Sequence, residues 1–191
     1  MAILSPLIKK TLRDRMLSQR MALSDLDRQI KSRAIISHSL LHVPAGSAVA
    51  GYHSVRGEVD VSTLLKVLAE KGNRICLPAI THQDAPLAFR AWQPGSALVK
   101  GSYGIMEPAA GAEEMFPDIL LVPLLAFDGK GHRLGYGAGY YDRTIAQLKK
   151  KKPSIRTYGM AYAFQRVDSL PAEAHDEKLN AIITEEGMVR P

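Results

Sequence analysis

Apolar and polar residues recur along the chain with two different spacings, and each spacing predicts a type of element. Near the start, the run "SPLIKKTLRDRMLSQR" repeats apolar residues at helical spacing. A second helix is predicted to begin at "SDLD", where Ser24 can accept hydrogen bonds from the first turn. We expect Ile30, Ala34 and Leu41 to form the inward face of this second helix.

Short apolar runs follow, and they alternate with further helical segments. The predicted strands lie in "SAVAGYH", "RICLPAI", "PLAFRAW", "DILLVPLLAF", "TYGMAYAF" and "NAIIT". A third helix, capped by Asp60 and ended at Gly72, precedes "RICLPAI", and a fourth runs from about Tyr140 to Lys152. This alternation predicts an α/β fold with a largely parallel central sheet flanked by helices. The length fits a single domain over 1–191.

A glycine-rich segment, "FDGKGHRLGYGAGYYDR", lies between the most apolar predicted strand and the fourth helix. A loop in this position lies at the carboxyl edge of a parallel sheet, where open α/β folds bind their ligands. Gly135, Gly137 and Gly139 lack side chains at alternate positions, so the main chain can approach an anion closely. Arg133 could contact phosphate oxygens, and Asp142 is a suitable magnesium ligand.

A structural interpretation of the same segment is equally open from spacing alone. In that alternative the glycines form a turn, Tyr140 and Tyr141 pack into the core, and Asp142 caps the fourth helix. The segment matches neither the Walker lysine motif nor the dinucleotide fingerprint. Spacing therefore leaves both a phosphate-binding loop and a plain turn possible.

Charge and composition narrow the class of protein. The net charge is +6 and 6% of residues are aromatic. The positive charge favours an anionic partner, which could be a phosphate-rich small molecule, a polycarboxylate or a nucleic acid. No apolar run approaches the roughly 18 residues of a membrane span, and the amino terminus lacks a secretory pattern, so we expect a cytoplasmic protein. The single cysteine, Cys76, excludes an internal disulfide.

The segment "VPLLAFDGKGHRLGYGAGYYDR" resembles the most distinctive part of the 5-formyltetrahydrofolate cyclo-ligase family, also called 5,10-methenyltetrahydrofolate synthetases. The resemblance continues in "KKTLR", "YHSVRGEVD", "YGIMEP" and "LPAEAHDEKLNAIITEE". It implies a fold like that of NagB, RpiA and the coenzyme A transferases. It also implies ATP as co-substrate, Mg²⁺ as cofactor, and closure of 5-formyltetrahydrofolate to 5,10-methenyltetrahydrofolate with release of ADP and phosphate.

The resemblance also implies roles for individual residues. The implied ATP contacts are Lys9, Lys10, Arg13, Arg133, Leu134, Gly135, Tyr136, Gly137, Ala138, Gly139, Tyr140 and Tyr141. The implied folate contacts are His53, Glu58 and Tyr103, together with Tyr136, Gly137, Ala138, Gly139 and Tyr140. Arg133 and Tyr140 are the predicted catalytic residues, and Asp142 and Asp176 the predicted metal ligands. We expect Lys9, Lys10 and Arg13 on or beside the more polar side of the first helix.

Two alternatives remain at this stage. A sugar-phosphate isomerase-like enzyme could share the fold, although it would leave "KKTLR" without a role. A basic RNA-binding module would suit the charge, but the basic residues are scattered and no nucleic-acid motif occurs. We therefore expect small-molecule partners, no nucleic acid or membrane, and a monomer. In one departure from the family pattern, Ala138 lies where many members have Lys or Gly.

Overall fold

The computed structural model describes residues 4–191, with side chains from residue 6 onward. The helices are α1 (Leu4–Met21), α2 (Asp25–Leu40), α3 (Ser62–Glu70) and α4 (Tyr140–Lys151). The strands are β1 (Ala48–Ala50), β2 (Arg74–Ala79), β3 (Ala88–Ala91), β4 (Val99–Lys100), β5 (Met106–Glu107), β6 (Ile119–Pro123), β7 (Ala126–Phe127), β8 (Arg133–Leu134), β9 (Arg156–Met160), β10 (Ala181–Thr184) and β11 (Gly187–Val189).

Seven strands form the central sheet in the order β11-β10-β9-β6-β1-β2-β3. The five inner strands from β10 to β2 pair in parallel, and β3 and β11 are antiparallel edge strands. The inner strands are buried and nearly continuously apolar, which is the pattern of a sheet covered on both faces. The predicted α/β fold with a largely parallel sheet is confirmed.

Helices cover both faces of this sheet, and β6 shows how the chain specifies the two faces. Leu121 belongs to the cluster that α2 and α3 cover, whereas Leu120 and Val122 belong to the cluster beneath α4. This alternation follows from the two-residue period of a strand. Each buried apolar side chain contributes about 1.5–3 kcal/mol to the free energy of unfolding, so both layers stabilise the sheet.

The predicted inward face of α2 is wrong. Ile30 is 57% exposed, and Leu41, which follows the last helical residue, is 77% exposed. The buried residues of the helix are Ser32, Ile35, Ile36 and Ser39. Ser39 Oγ donates to the carbonyl of Ile35 at 2.7 Å, so a hydroxyl can be buried on this face with its hydrogen bond made. Two of these four buried residues are serines, so the spacing of apolar residues alone pointed to a different face of the helix.

The apolar run that begins β6 does not lead straight into the glycine loop. β6 ends at Pro123, and the rest of the run forms β7, which pairs with β8 in a separate two-stranded hairpin. Met16 of α1 packs against this hairpin at Leu125, Ala126 and Leu134. The glycine loop therefore leaves the hairpin rather than the central sheet, and α1 covers the hairpin.

Two of the predicted helix ends agree with the structure, and a third is displaced by one residue. Ser24 accepts from the Asp27 N–H at 3.0 Å to cap α2. The capping residue of α3 is Val61 rather than the predicted Asp60, although Asp60 accepts from the Ser62 N–H at 2.9 Å. Gly72, with φ of +83°, follows α3. None of the helices in the described range is long and apolar enough to cross a membrane.

Candidate active site

Three segments that are distant in the sequence meet at the carboxyl edge of the parallel strands. The loop after β1 carries His53 and Glu58, the glycine loop follows the hairpin beyond β6, and α1 lies across both. Tyr136 of the glycine loop donates from its hydroxyl to Glu58 Oε1 at 3.0 Å. Arg13 of α1 donates from Nε to the carbonyl of Gly135 at 2.9 Å.

Two of the three loop glycines have backbone conformations that disfavour any other residue. Gly137 has φ of +102°, and Gly139, which precedes the first residue of α4, has φ of +68°. A Cβ at Gly137 would also lie 3.3 Å from the Arg13 guanidinium carbon. By contrast, Gly135 lies in open space and shows no positive φ. The loop shape therefore depends on Gly137 and Gly139.

The basic residues of "KKTLR" separate in the structure. Lys9 Nζ lies 3.1 Å from both Asp176 Oδ2 and Glu173 Oε1, whereas Lys10 is exposed and pairs with Asp14 at 2.8 Å. Burial opposes the charged form of Lys9, but the two carboxylates outweigh it and raise the pKa of Lys9. Lys9 and Arg13 were expected on or beside the more polar side of α1. Both instead face the protein, where carboxylates bind Lys9 and the carbonyl of Gly135 accepts from Arg13.

Arg133, a predicted phosphate contact, lies inside the protein. Its side chain is almost fully buried, donating from Nη2 to Asp142 Oδ1 at 2.8 Å and from Nη1 to the carbonyl of Glu177 at 2.6 Å. Asp142 Oδ1 also accepts from the Glu177 N–H at 3.1 Å. Asp142 lies within the first turn of α4 and is not its capping residue. This ion pair ties the start of α4 to the segment after Asp176.

The two predicted metal ligands are thus each paired with a predicted phosphate contact. Burial favours protonation of Asp176, but the Glu173 N–H and Lys9 outweigh it and lower the pKa of Asp176. The described residues contain no cluster of three or more His, Cys, Asp or Glu side chains arranged to hold a metal ion. Two carboxylates fit a Mg²⁺ ion whose remaining ligands are phosphate oxygens and water.

Glu58 is a buried carboxylate held at both oxygens. It is 6% exposed, and Oε2 accepts from the Val55 N–H at 3.0 Å while Oε1 accepts from Tyr136. Burial raises the pKa of Glu58, although the Val55 N–H, Arg20 and Tyr136 oppose the shift. Burial and the nearby carboxylate raise the pKa of Tyr136 to about 12, so its phenol stays protonated and donates.

Arg20 belongs to this cluster but was absent from the predicted site. It is 1% exposed and donates to the carbonyls of Arg56 and Leu124 and to the hydroxyl of Tyr136. One signal in the sequence could have indicated it. At helical spacing Arg20 shares one face with Lys9 and Arg13, so a basic stripe rather than a single motif runs along α1.

The remaining predicted residues lie around this centre. Tyr103 is exposed, with its ring edge-on to Tyr140 at a centroid distance of 6.3 Å. His53 is exposed, and Leu134 is buried in the hairpin beneath α1. Burial beside Glu58 raises the pKa of Tyr141.

Arg143 is a further basic residue at the loop that the sequence analysis did not single out. Its Nη2 donates to the carbonyl of Ala138 at 2.8 Å, and its guanidinium carbon lies 5.1 Å from the ring centre of Tyr140. The side chain of Ala138 itself is exposed. A cation therefore lies beside the loop even though residue 138 carries none.

Solved structures of other proteins share this fold. The solved structure of the Aquifex aeolicus 5,10-methenyltetrahydrofolate synthetase is similar to this chain with a TM-score of 0.78 and 31% identity, covering 96% of this chain and 92% of that one. A translation initiation factor eIF-2B from Pyrococcus horikoshii has a TM-score of 0.51 and 12% identity, covering 85% of this chain and 65% of that one. This second likeness concerns the fold alone.

Sequence comparison gives the family. The chain is 34% identical over 173 residues to a 5-formyltetrahydrofolate cyclo-ligase of Escherichia coli (strain K12), an overlap covering 87% of this chain and 94% of that protein. The model of the 5-formyltetrahydrofolate cyclo-ligase family matches residues 7–185. The chain therefore belongs to the 5-formyltetrahydrofolate cyclo-ligase family, a family of ligases that act on 5-formyltetrahydrofolate.

Proposed function

We propose that this protein closes 5-formyltetrahydrofolate to 5,10-methenyltetrahydrofolate with consumption of ATP in the presence of Mg²⁺. The observation that carries the proposal is the junction of α1 with the glycine loop through Arg13 and Gly135, with Glu58 bonded to the same loop at Tyr136. A basic helix, a bare main chain and a buried carboxylate thus lie together. These are the groups that a triphosphate and a pterin require.

The proposed chemistry explains the need for ATP. The formyl nitrogen lone pair is delocalised into the carbonyl, as in any amide, so the formyl oxygen is a poor leaving group. Transfer of the γ-phosphoryl group to that oxygen releases ADP. N10 then attacks the formyl carbon and loses its proton, and cleavage of the carbon–oxygen bond releases phosphate with the electron pair. The product is the methenyl cation.

In this scheme the protein positions reactants and offsets charge. Lys9 and Arg13 are the proposed phosphate contacts of α1, and the structure gives less support to Lys10, which pairs at the surface with Asp14. No side chain caps the amino terminus of α4, so the N–H groups of its first turn complement phosphate oxygens. Together these groups stabilise negative charge on the transferred phosphoryl group.

Asp142 and Asp176 are the proposed magnesium ligands, and bound Mg²⁺ would neutralise phosphate charge there. Each now pairs with a cation, Arg133 and Lys9 respectively. With Mg²⁺ held by the two carboxylates, Arg133 and Lys9 would lie where they can contact the phosphate oxygens of ATP. Arg133 is the proposed catalytic contact, together with Tyr140 at the start of α4.

Glu58 is the proposed pterin contact, because a carboxylate can accept two parallel hydrogen bonds from the 2-amino-4-oxo ring edge. His53 and Tyr103, both exposed near this edge of the sheet, are proposed walls of the folate site. The monomeric state and the cytoplasmic location stay predictions.

The test is a spectrophotometric assay with (6S)-5-formyltetrahydrofolate that follows the near-ultraviolet band of the methenyl product. We expect the band to rise only with both ATP and Mg²⁺, with one ADP and one phosphate formed per product. A non-hydrolysable ATP analogue and a chelator should each abolish the rise. A rise without ATP, or none from well-folded protein with all components, would overturn the proposal.

A further inference from the structure

Arg20 is a buried cation without a carboxylate within ion-pairing distance among the described residues. A buried charge is costly unless it is well compensated. Here the guanidinium donates to three segments at once. Nε donates to the carbonyl of Arg56 at 2.9 Å, Nη1 donates to the carbonyl of Leu124 at 3.2 Å, and Nη2 donates to the hydroxyl of Tyr136. Arg20 thereby links α1, the loop after β1, the end of β6 and the glycine loop.

Arg20 is connected to the carboxylate of Glu58 through the phenol of Tyr136. Tyr136 accepts from Arg20 and donates to Glu58 Oε1, so the three side chains form a relay from guanidinium through phenol to carboxylate. The Tyr136 ring also lies 5.8 Å from the Arg20 guanidinium carbon and 5.4 Å from that of Arg56. Its orientation is therefore determined by both arginines and by Glu58.

The loop that carries Glu58 is packed directly against Arg20. Arg56 has φ of +50° and Gly57 has φ of +71°, so the chain makes a tight turn immediately before Glu58. A Cβ at Gly57 would lie 3.3 Å from the backbone oxygen of Arg20. The place of Glu58 consequently depends on where Arg20 holds this turn.

We infer that Arg20 is a positioning residue that orients Glu58 and Tyr136 for folate binding without itself contacting the folate. This inference rests on the proposed function, because it takes Glu58 as the pterin contact. Each of the three guanidinium nitrogens already donates to a protein acceptor, and the side chain is buried, so we assign it the role of orienting those partners. A lysine in the same place keeps the charge but not the planar fork that reaches three directions.

The charge of Arg20 gives a second readout. The charged and titratable groups around Glu58 and its turn are Arg20 of α1, Arg28 of α2, Arg56 of the turn itself, Tyr136 of the glycine loop, Tyr52 after β1, Tyr141 of α4 and Tyr162 after β9. The cations Arg20 and Arg56 oppose the rise in the pKa of Glu58 that burial causes. A neutral residue at position 20 should let Glu58 take up a proton at a higher pH.

The first test is a double-mutant cycle on the folate KM of the full-length enzyme with saturating MgATP. We expect Arg20→Lys to raise the folate KM about tenfold in the wild-type background, as loss of a charge-assisted hydrogen bond predicts. In a Glu58→Gln background the same change should alter the KM less than about twofold, because the group that Arg20 positions is already compromised. Equal factors in both backgrounds would show that Arg20 acts independently of Glu58 and would overturn the inference.

The second test is the pH profile of kcat/KM for folate. The acid limb should move to higher pH in Arg20→Met and stay near the wild-type position in Arg20→Lys, which retains the cation. The matched control is Arg15→Met, an exposed arginine of the same helix, for which both KM and profile should stay unchanged. An Arg20→Met profile identical to that of the wild type would count against the inference.

A variant that fails to fold does not end the test. Tyr136→Phe removes only the oxygen that joins Arg20 to Glu58, and the partly exposed ring can remain in place. It replaces Arg20→Lys in the same cycle, with the same expected coupling. If the wild type turns over and the KM factors of the two single variants simply multiply in the double variant, only the positioning role is overturned. If the wild type shows no turnover, the proposed function itself is overturned.

Discussion

At the scale of the residue, the charged side chains of the candidate site already have hydrogen-bond or ion-pair partners within the protein. Lys9 lies between Glu173 and Asp176, Arg133 pairs with Asp142, and Glu58 is joined to Tyr136. Such pairing holds the charged side chains in fixed positions before substrates arrive, and it satisfies them in a partly buried setting where unpaired charges are costly.

The loop glycines provide the first residue-scale prediction. Gly137→Ala should lower kcat/KM for ATP about tenfold, since a non-glycine residue in a positive-φ conformation costs about 1–3 kcal/mol and the new methyl meets Arg13. Gly135→Ala, which adds the same methyl in open space two residues away, should change it less than about twofold. Steady-state kinetics with varied ATP measures both. Equal effects would mean that the conformation at Gly137 is not what the loop requires.

Asp142 provides the second prediction at this scale. Asp142→Asn keeps an oxygen that can accept from the Glu177 N–H but removes the negative charge, so the protein should fold and magnesium-dependent turnover should fall roughly 10–100-fold. Turnover measured over a range of Mg²⁺ concentrations should then require more metal. Asp168→Asn, a change at an exposed carboxylate, is the control. Full activity of Asp142→Asn at low Mg²⁺ would remove this carboxylate from the site.

At the scale of the element, α1 and the β7–β8 hairpin together bring the site's segments into contact. α1 packs its apolar residues on the hairpin through Met16 and places Arg13 and Arg20 over the loops beyond it. Since the hairpin lies between β6 and the glycine loop, and α1 packs on the hairpin, the loop is placed against α1. The packing of one helix against one hairpin therefore decides which loop residues the cations meet.

The orientation of α2 can be tested in the same terms. Ile35→Ala removes methyl groups from a fully buried side chain and should lower the free energy of unfolding by about 2–5 kcal/mol. Ile30→Ala makes the same chemical change on the exposed side and should alter it by less than about 0.5 kcal/mol. Urea denaturation followed by circular dichroism distinguishes them. The reverse order would mean that the helix is rotated from the orientation described here.

At the scale of the whole molecule, three aspartates tie distant segments together and make stability depend on pH. Hydrogen bonds outweigh burial and lower the pKa of Asp128, which accepts from His132 Nδ1 and from three backbone N–H groups. The pKa values of Asp118 and Asp176 are lowered as well, with Lys152 and Lys9 among their partners. Each carboxylate binds its proton less readily in the folded than in the unfolded chain.

The stability these groups contribute is therefore present above the unfolded-state pKa of about 4 and is lost as the pH falls through the lower folded-state values. Urea midpoints measured from neutral pH down to about pH 3 should fall steeply over the acid part of this range. Asp128→Asn should lower the midpoint at neutral pH and flatten the acid fall, whereas Asp168→Asn should retain the wild-type curve. A wild-type curve that stays flat in acid would contradict the assignment.

By itself, the sequence determined the elements and the family. Apolar runs of strand length between helical segments sufficed for an α/β fold, and the motif from Val122 to Arg143 identified the cyclo-ligase resemblance that the comparisons confirm. These features are local, so short-range spacing and turn chemistry specify them. The same spacing indicated the wrong face of α2. The face that is buried contains Ser32 and Ser39, whose hydroxyls form hydrogen bonds that a pattern of apolar residues does not reveal.

Only the tertiary structure decided the pairings within the site. Lys9 meets Asp176 across 167 residues of chain, Arg13 meets Gly135 across 122, and Arg20 meets Tyr136 across 116. Such partners depend on how α1 packs against the hairpin and on how the strands order in the sheet, and no local pattern contains that information. The sequence therefore indicated many of the charged residues of the site but not Arg20 or Arg143, and the fold determined which of these residues contact one another.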